Sequence, residues 1–184
     1  MKDNNIFKYN GLTPSFIVNI SHEVRTSLNR ILGLAQVMLK SQKWSSVSDT
    51  PLKKKQQDKD WSNYTALIVE DDPVSSHVIK AMLRNTGINI IHAENGLNAV
   101  EQVRFNPQIN LALMDMHLPK MNGLETTERI LDINPALPVI AQTANGSKEK
   151  CFEAGCVDFI RKPLLMGELF SKMSKYLPEK QMVA

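Results

Sequence analysis

Apolar residues recur along this chain with more than one period, and the changes of period divide it. From Ser15 to Lys40, Phe16, Ile20, Val24, Leu28, Ile31, Ala35 and Met38 are spaced by threes and fours, which makes one stripe of a helix. Asn19, His22, Thr26, Asn29 and Gly33 fall on another side. Such a helix, ~39 Å long at 1.5 Å per residue, cannot bury its stripe alone and implies a partner. Over residues 41–64 the pattern collapses into serines, Asp49-Thr50-Pro51 and the run Lys53 to Asp60, with only Trp44 and Trp61 interrupting, so a polar, basic linker is expected. From Thr65 onward short apolar runs alternate with helical segments. Strands are predicted at 65–69, 88–92, 110–114, 138–142 and 157–160. The helices between them start at Asp72-Pro73, Gly96, Gly123, about Ser147 and Leu164. Five such units with crossover helices predict an α/β fold: a parallel sheet covered on both faces.

The third run, Asn110 to Met114, is too apolar to face water on either side, and Asp115 arrives where it stops. In a parallel sheet every loop that follows a strand opens on the same edge. The first strand is followed by Glu70-Asp71-Asp72, the third by Asp115, the fourth by Thr143-Ala144 and the fifth by Arg161-Lys162-Pro163. Acids gathered on one edge attract a hard divalent cation, here Mg²⁺. An ammonium and a hydroxyl beside that cation suit an anion with several oxygens, so the pattern describes a phosphoryl site with Asp115 as nucleophile. Asp72 is expected only to cap its helix.

Composition adds limits. With 42% hydrophobic and 22% charged residues the 184-residue chain is an ordinary globular one. Its net charge of +3 is uneven: residues 1–64 hold ten Lys and Arg against five Asp and Glu, and the remainder twelve against fourteen. The basic run is expected to be solvated linker rather than a nucleic-acid or lipid reader, since no docking helix or aromatic cluster accompanies it. No apolar stretch approaches the ~18–20 residues of a membrane span, no signal peptide opens the chain, and Cys151 and Cys156 are too few for a disulfide framework. A cytoplasmic location is expected.

Residues 65–178 resemble the receiver domains of two-component response regulators. The motifs that carry the likeness are Ile68-Val69-Glu70-Asp71-Asp72, Leu113-Met114-Asp115-Met116, Pro119-Lys120-Met121-Asn122-Gly123, Thr143-Ala144-Asn145 and Lys162-Pro163. The resemblance implies a flavodoxin-like five-stranded parallel sheet in the order 2-1-3-4-5. It implies that Asp115 is the phosphoacceptor and that Glu70, Asp71, Asp115 and the His117 backbone carbonyl hold Mg²⁺. Thr143 would be the switch hydroxyl, Lys162 would pair with the phosphoryl group, and the Lys162–Pro163 bond would be cis. Phe159 would be the switch aromatic, lacking the tyrosine hydroxyl often found there. His117 and Asn145 would tune hydrolysis. The donor would be a cognate histidine kinase or histidine phosphotransfer protein. One departure stands out: from Thr143 to Lys162 the chain is roughly three residues short, so the fourth helix is expected to have lost about one turn.

The N-terminal helix, residues 1–40, has its own resemblance. Phe16 to Asn29 is similar to the phosphoacceptor-histidine helix of sensor histidine kinases, which implies His22 as a second phosphoacceptor assisted by Glu23, with Thr26 one turn on. In that family the helix pairs with a second one and dimerises, and a glycine-rich domain binds ATP; the sequence carries neither. The chain thus reads as a receiver, residues 65–184, behind a truncated hybrid-kinase helix, with no autokinase activity. The helix is expected to form a homodimer or to pack on the receiver. Two function classes follow: a signalling phosphoacceptor, or a phosphorylation-independent interaction scaffold.

Overall fold

The computed structural model describes Ile31, Ala35 and residues 59–144 and 148–178. Ile31 and Ala35 are helical. The rest of the predicted N-terminal helix, with His22, Glu23 and Thr26, lies outside the described residues, as do the linker up to residue 58 and Asn145. From residue 65 the elements run β1 (Thr65–Val69), α1 (Pro73–Leu83), β2 (Asn89–Ala93), α2 (Gly96–Phe105), β3 (Leu111–Asp115), α3 (Gly123–Ile133), β4 (Val139–Thr143), α4 (Lys148–Glu153), β5 (Asp158–Arg161) and α5 (Met166–Tyr176). The five strands form one sheet in the order β2-β1-β3-β4-β5, and every pairing is parallel.

Each strand has two faces, and the sequence loads both. Ile68, Leu111, Leu113, Ile140 and Ile160 pack with Val78, Ile79, Met82 and Leu83 of α1 and Leu169 and Met173 of α5. Val69, Ala112, Met114, Val139 and Ala141 pack on the opposite face with Ala99 and Val103 of α2, Ile130 of α3 and Cys151 of α4. The three central strands are buried along their whole length, as strands covered by crossover helices must be. The helices start where the capping residues say they should. Asp72, Asn95 and Asn122 each accept a hydrogen bond from the backbone N–H three residues on.

Four of the five strands begin and end one residue later than their apolar runs. Ile88, Asn110, Pro138 and Val157 precede the pairing, whereas Ala93, Asp115, Thr143 and Arg161 close it. At three of these four ends the last rung is polar, and it stays paired because the backbone ladder continues there: Asp115 lies opposite Gln142, and Thr143 opposite Arg161. The described part of α4 spans Lys148–Glu153, and the expected loss of a turn depends on residues 145–147, which lie outside the described residues.

Trp61 corrects the linker boundary. Its side chain is fully buried, packs edge-on against Phe170 with ring centroids 5.5 Å apart, and donates from Nε1 to the Leu177 carbonyl at 3.2 Å. Its backbone N–H donates to Thr86 at 2.7 Å, and the Tyr64 hydroxyl donates to the Pro178 carbonyl at 2.6 Å. The chain therefore enters the sheet domain pinned to the end of α5, and the packed unit starts at Trp61 rather than Thr65. Trp61→Ala should cost about 3–5 kcal/mol of unfolding free energy, the usual loss for an emptied aromatic site, measured by urea denaturation. Stability unchanged within error would return Trp61 to the linker.

Candidate functional site

Register brings the polar strand ends into one row. Ile68 of β1 lies opposite Leu113 of β3, so Glu70 and Asp115, each two residues further, project from the same face at the carboxyl edge. Lys162 follows β5 and reaches both: its Nζ donates to Glu70 Oε2 and to Asp115 Oδ2, each at 2.7 Å. All three side chains are nearly closed to solvent, with 11% of Lys162, 2% of Glu70 and 6% of Asp115 exposed. The remaining oxygens are held by backbone. The His117 N–H donates to Asp115 Oδ1 at 2.9 Å, and the Asp72 N–H reaches Glu70 Oε1 at 3.4 Å. Asp71, exposed, completes the group: ligand oxygens of Glu70, Asp71 and Asp115 lie within 4.8 Å of one another.

The loop after β3 is shaped to bring its backbone onto this row. A Cβ on Gly123 would run into the Asp115 carbonyl and Met116, so only glycine lets α3 start here. Met121 N–H closes a three-residue turn on the Pro119 carbonyl at 2.8 Å, with Lys120 between them at φ 68°, a strained arrangement for a residue with a side chain. On the other side His92 of β2 donates from Nε2 to the Glu70 carbonyl at 3.0 Å, and Glu70 N–H donates to Ala93. His92 was not legible as part of the site, since its partner is a backbone atom on another strand.

Burial sets the electrostatics. It pushes the Glu70 carboxyl up to about 7; Lys162 opposes this, and Asp115 and Asp71 add to it. Asp71 is raised by burial and then by Asp115. Burial pulls Lys162 down, but Asp115 and Glu70 outweigh it and hold the ammonium above its ordinary range. Oxygen donors alone, three of them acidic, with one lysine bonded to two of them, suit a hard divalent cation that would take over the carboxylates from that lysine.

Thr143 is buried at the end of β4, and its carbonyl accepts the Lys162 backbone N–H at 2.9 Å, so the two residues are fixed side by side. The Lys162–Pro163 bond is cis. Phe159 is not in this row. It lies on the other face of β5, edge-on to Phe152 at 6.4 Å and under the ammoniums of Lys148 and Lys172 at 5.6 and 5.0 Å. The neighbouring Asp158 is opposed by burial, but hydrogen bonds from Lys172 and Lys175 prevail and hold it at about 2. Among the described residues no helix is long and apolar enough to cross a membrane.

The raised Glu70 predicts a pH dependence with a definite sign. Between about 4.5 and 7 the folded, ion-free protein keeps a proton that the unfolded chain has lost, so stability falls as pH rises through that window. Thermal melts across the window should show the fall, and Glu70→Gln should flatten it. A Glu70→Gln profile as steep as the wild-type one would place the cause elsewhere.

The comparisons with known proteins agree with this geometry. The model of the response regulator receiver domain matches residues 66–174. The Cyclic di-GMP phosphodiesterase of Thermotoga maritima is 40% identical over 116 residues, 61% of this chain and 31% of that protein. The transcriptional regulatory protein ZraR of Escherichia coli K12 is 36% identical over 118 residues, 62% of this chain and 26% of that one. The chain thus spans less than a third of the length of either relative. Among solved structures, the receiver domain of a sensor histidine kinase of Pseudomonas aeruginosa PAO1, with magnesium coordinated in its active site cleft, superposes with a TM-score of 0.59 at 33% identity, covering 64% of this chain and 99% of that one. The receiver domain of Saccharomyces cerevisiae Ssk1, crystallised with the histidine phosphotransfer protein Ypd1, gives 0.60 at 26% identity, with coverage of 66% and 93%. With its five parallel strands in this order and more than half its residues matched, the chain belongs to the response regulator receiver domain family, the modules of two-component phosphorelays.

Proposed function

We propose that this receiver accepts a phosphoryl group on Asp115 from a phosphohistidine donor. The observation that carries the reading is the Lys162 ammonium, buried and bonded at 2.7 Å to both Glu70 and Asp115. A carboxylate oxygen of Asp115 attacks phosphorus, the donor's P–N bond breaks in line, and the leaving imidazole takes up a proton. Glu70, Asp71, Asp115 and the His117 carbonyl would hold Mg²⁺, whose chemistry when bound is to neutralise the negative charge gathering on the phosphoryl oxygens. Lys162 follows Asp115 and pairs with one of those oxygens. Thr143 offers its hydroxyl to another, and Phe159 answers the movement of β4 from the outer face. His117 and Asn145 would govern the approach of water. The Ypd1 complex of the yeast relative supports a histidine phosphotransfer protein or a histidine kinase as donor.

In this reading the N-terminal stretch associates the chain with a second copy, and His22, with Glu23 and Thr26, marks a further phosphoryl position. Sedimentation should find the intact chain heavier than a monomer and a 59–184 fragment monomeric; two monomers would reject the association.

Incubation with acetyl phosphate and Mg²⁺ should add one phosphoryl group to the intact mass. Asp115→Asn and chelation of the metal should each abolish it. A scaffold that works without phosphorylation would show no adduct, and label persisting in Asp115→Asn would reject Asp115 as acceptor.

A further inference from the structure

One buried polar side chain has no place in the chemistry above. Gln142 is fully buried, and among the described residues neither its Oε1 nor its Nε2 has a hydrogen-bond partner. A buried amide left unpaired costs stability, and a methionine or leucine of similar volume would avoid that cost. Its position is specific. Gln142 is the register partner of Asp115 on β3 and of Ile160 on β5, so it projects from the same face as both. The row at the carboxyl edge therefore reads Glu70, Asp115, Gln142, Ile160. Lys162 lies two residues beyond Ile160, tied by its backbone N–H to the Thr143 carbonyl. To bond Asp115 and Glu70 its side chain crosses β4, on the face that carries Gln142.

Lys162 has three N–H donors, and two are committed to the two carboxylates. A divalent cation that claims Glu70 and Asp115 takes those acceptors away. The ammonium then needs a replacement within the same buried row, and among the described residues the Gln142 carbonyl, on the register partner of Asp115, is an uncommitted oxygen there. We propose that Gln142 is a positioning residue for Lys162: its Oε1 accepts a hydrogen bond from Nζ once a cation occupies the acidic group, holding the ammonium over Asp115. The proposal rests on the metal-binding reading of Glu70, Asp71 and Asp115. The amide is thus a cost of the ion-free state that the loaded state recovers.

The test compares wild type with Gln142→Met and Gln142→Leu in two measurements on the full chain: melting temperature without divalent ions, and Mg²⁺ affinity by calorimetric titration. Both variants should melt higher than wild type without Mg²⁺ and bind Mg²⁺ about tenfold more weakly, the equivalent of about 1.4 kcal/mol. Wild-type Mg²⁺ affinity in both variants would overturn the role of Gln142 while leaving the metal site standing. Variants that are less stable without the ion, or fail to fold, would also overturn it, because the amide would then be satisfied in the ion-free protein. A wild-type chain that takes no Mg²⁺ would sink the underlying site reading as well.

Discussion

A lysine ammonium placed between two buried carboxylates is the constraint on which this structure turns. Bringing one cation and two anions out of water carries a large desolvation cost, offset only when their geometry is close and their other atoms are hydrogen-bonded. Both conditions hold: two contacts of 2.7 Å join Lys162 to Glu70 and Asp115, and backbone N–H groups hold the opposite oxygens. Meeting them requires β1, β3 and β5 to end at matched heights, since the acids come from two strands and the lysine from a third. The parallel order β2-β1-β3-β4-β5 provides that alignment, and the two apolar layers keep it rigid. The fold is in this sense a frame for one electrostatic triangle with a surplus of negative charge. Burial, with Asp115 and Asp71 adding to it, raises the affinity of Glu70 for a proton, and the surplus of acids suits the group to a divalent cation.

The two faces of β5 have different tasks. Towards α1 and α5, Ile160 joins the core beneath the triangle. On the opposite face Phe159 rests against Phe152 and two ammoniums, and Asp158, on the Ile160 side, ties Lys172 and Lys175 of α5 together at 2.6 and 2.9 Å. One short strand of four residues, Asp158–Arg161, thus connects the chemistry of the edge to an aromatic and ionic surface.

Much of this was legible in the amino-acid pattern. The bounds of β1 and the starts of α2 and α3 match the predicted ones, because apolar periodicity and capping residues agree there. Glu70, Asp71, Asp115 and Lys162 were readable together because a parallel sheet sends every strand's carboxyl end to one edge. The departures have physical reasons. Trp61 sits in a run of lysines and aspartates with no periodic neighbours, so its burial against Phe170 and Leu177 is purely a tertiary event. The polar residues Asp115, Thr143 and Arg161, expected just after their strands, occupy the last rungs, because the backbone ladder does not depend on side-chain hydropathy. Gln142 was concealed inside an apolar run, and only register reveals that it stands beside Asp115.

The account claims that the Lys162 ammonium passes from the carboxylates to the phosphoryl group while the acids hold the metal. The most direct test is a crystal structure of the chain with Mg²⁺ and beryllofluoride. The account predicts beryllium on an Asp115 oxygen, the metal among Glu70, Asp71 and Asp115, and Lys162 Nζ released from Glu70 onto fluoride. A structure in which Lys162 still bridges Glu70 and Asp115 while beryllofluoride and magnesium sit elsewhere would contradict it.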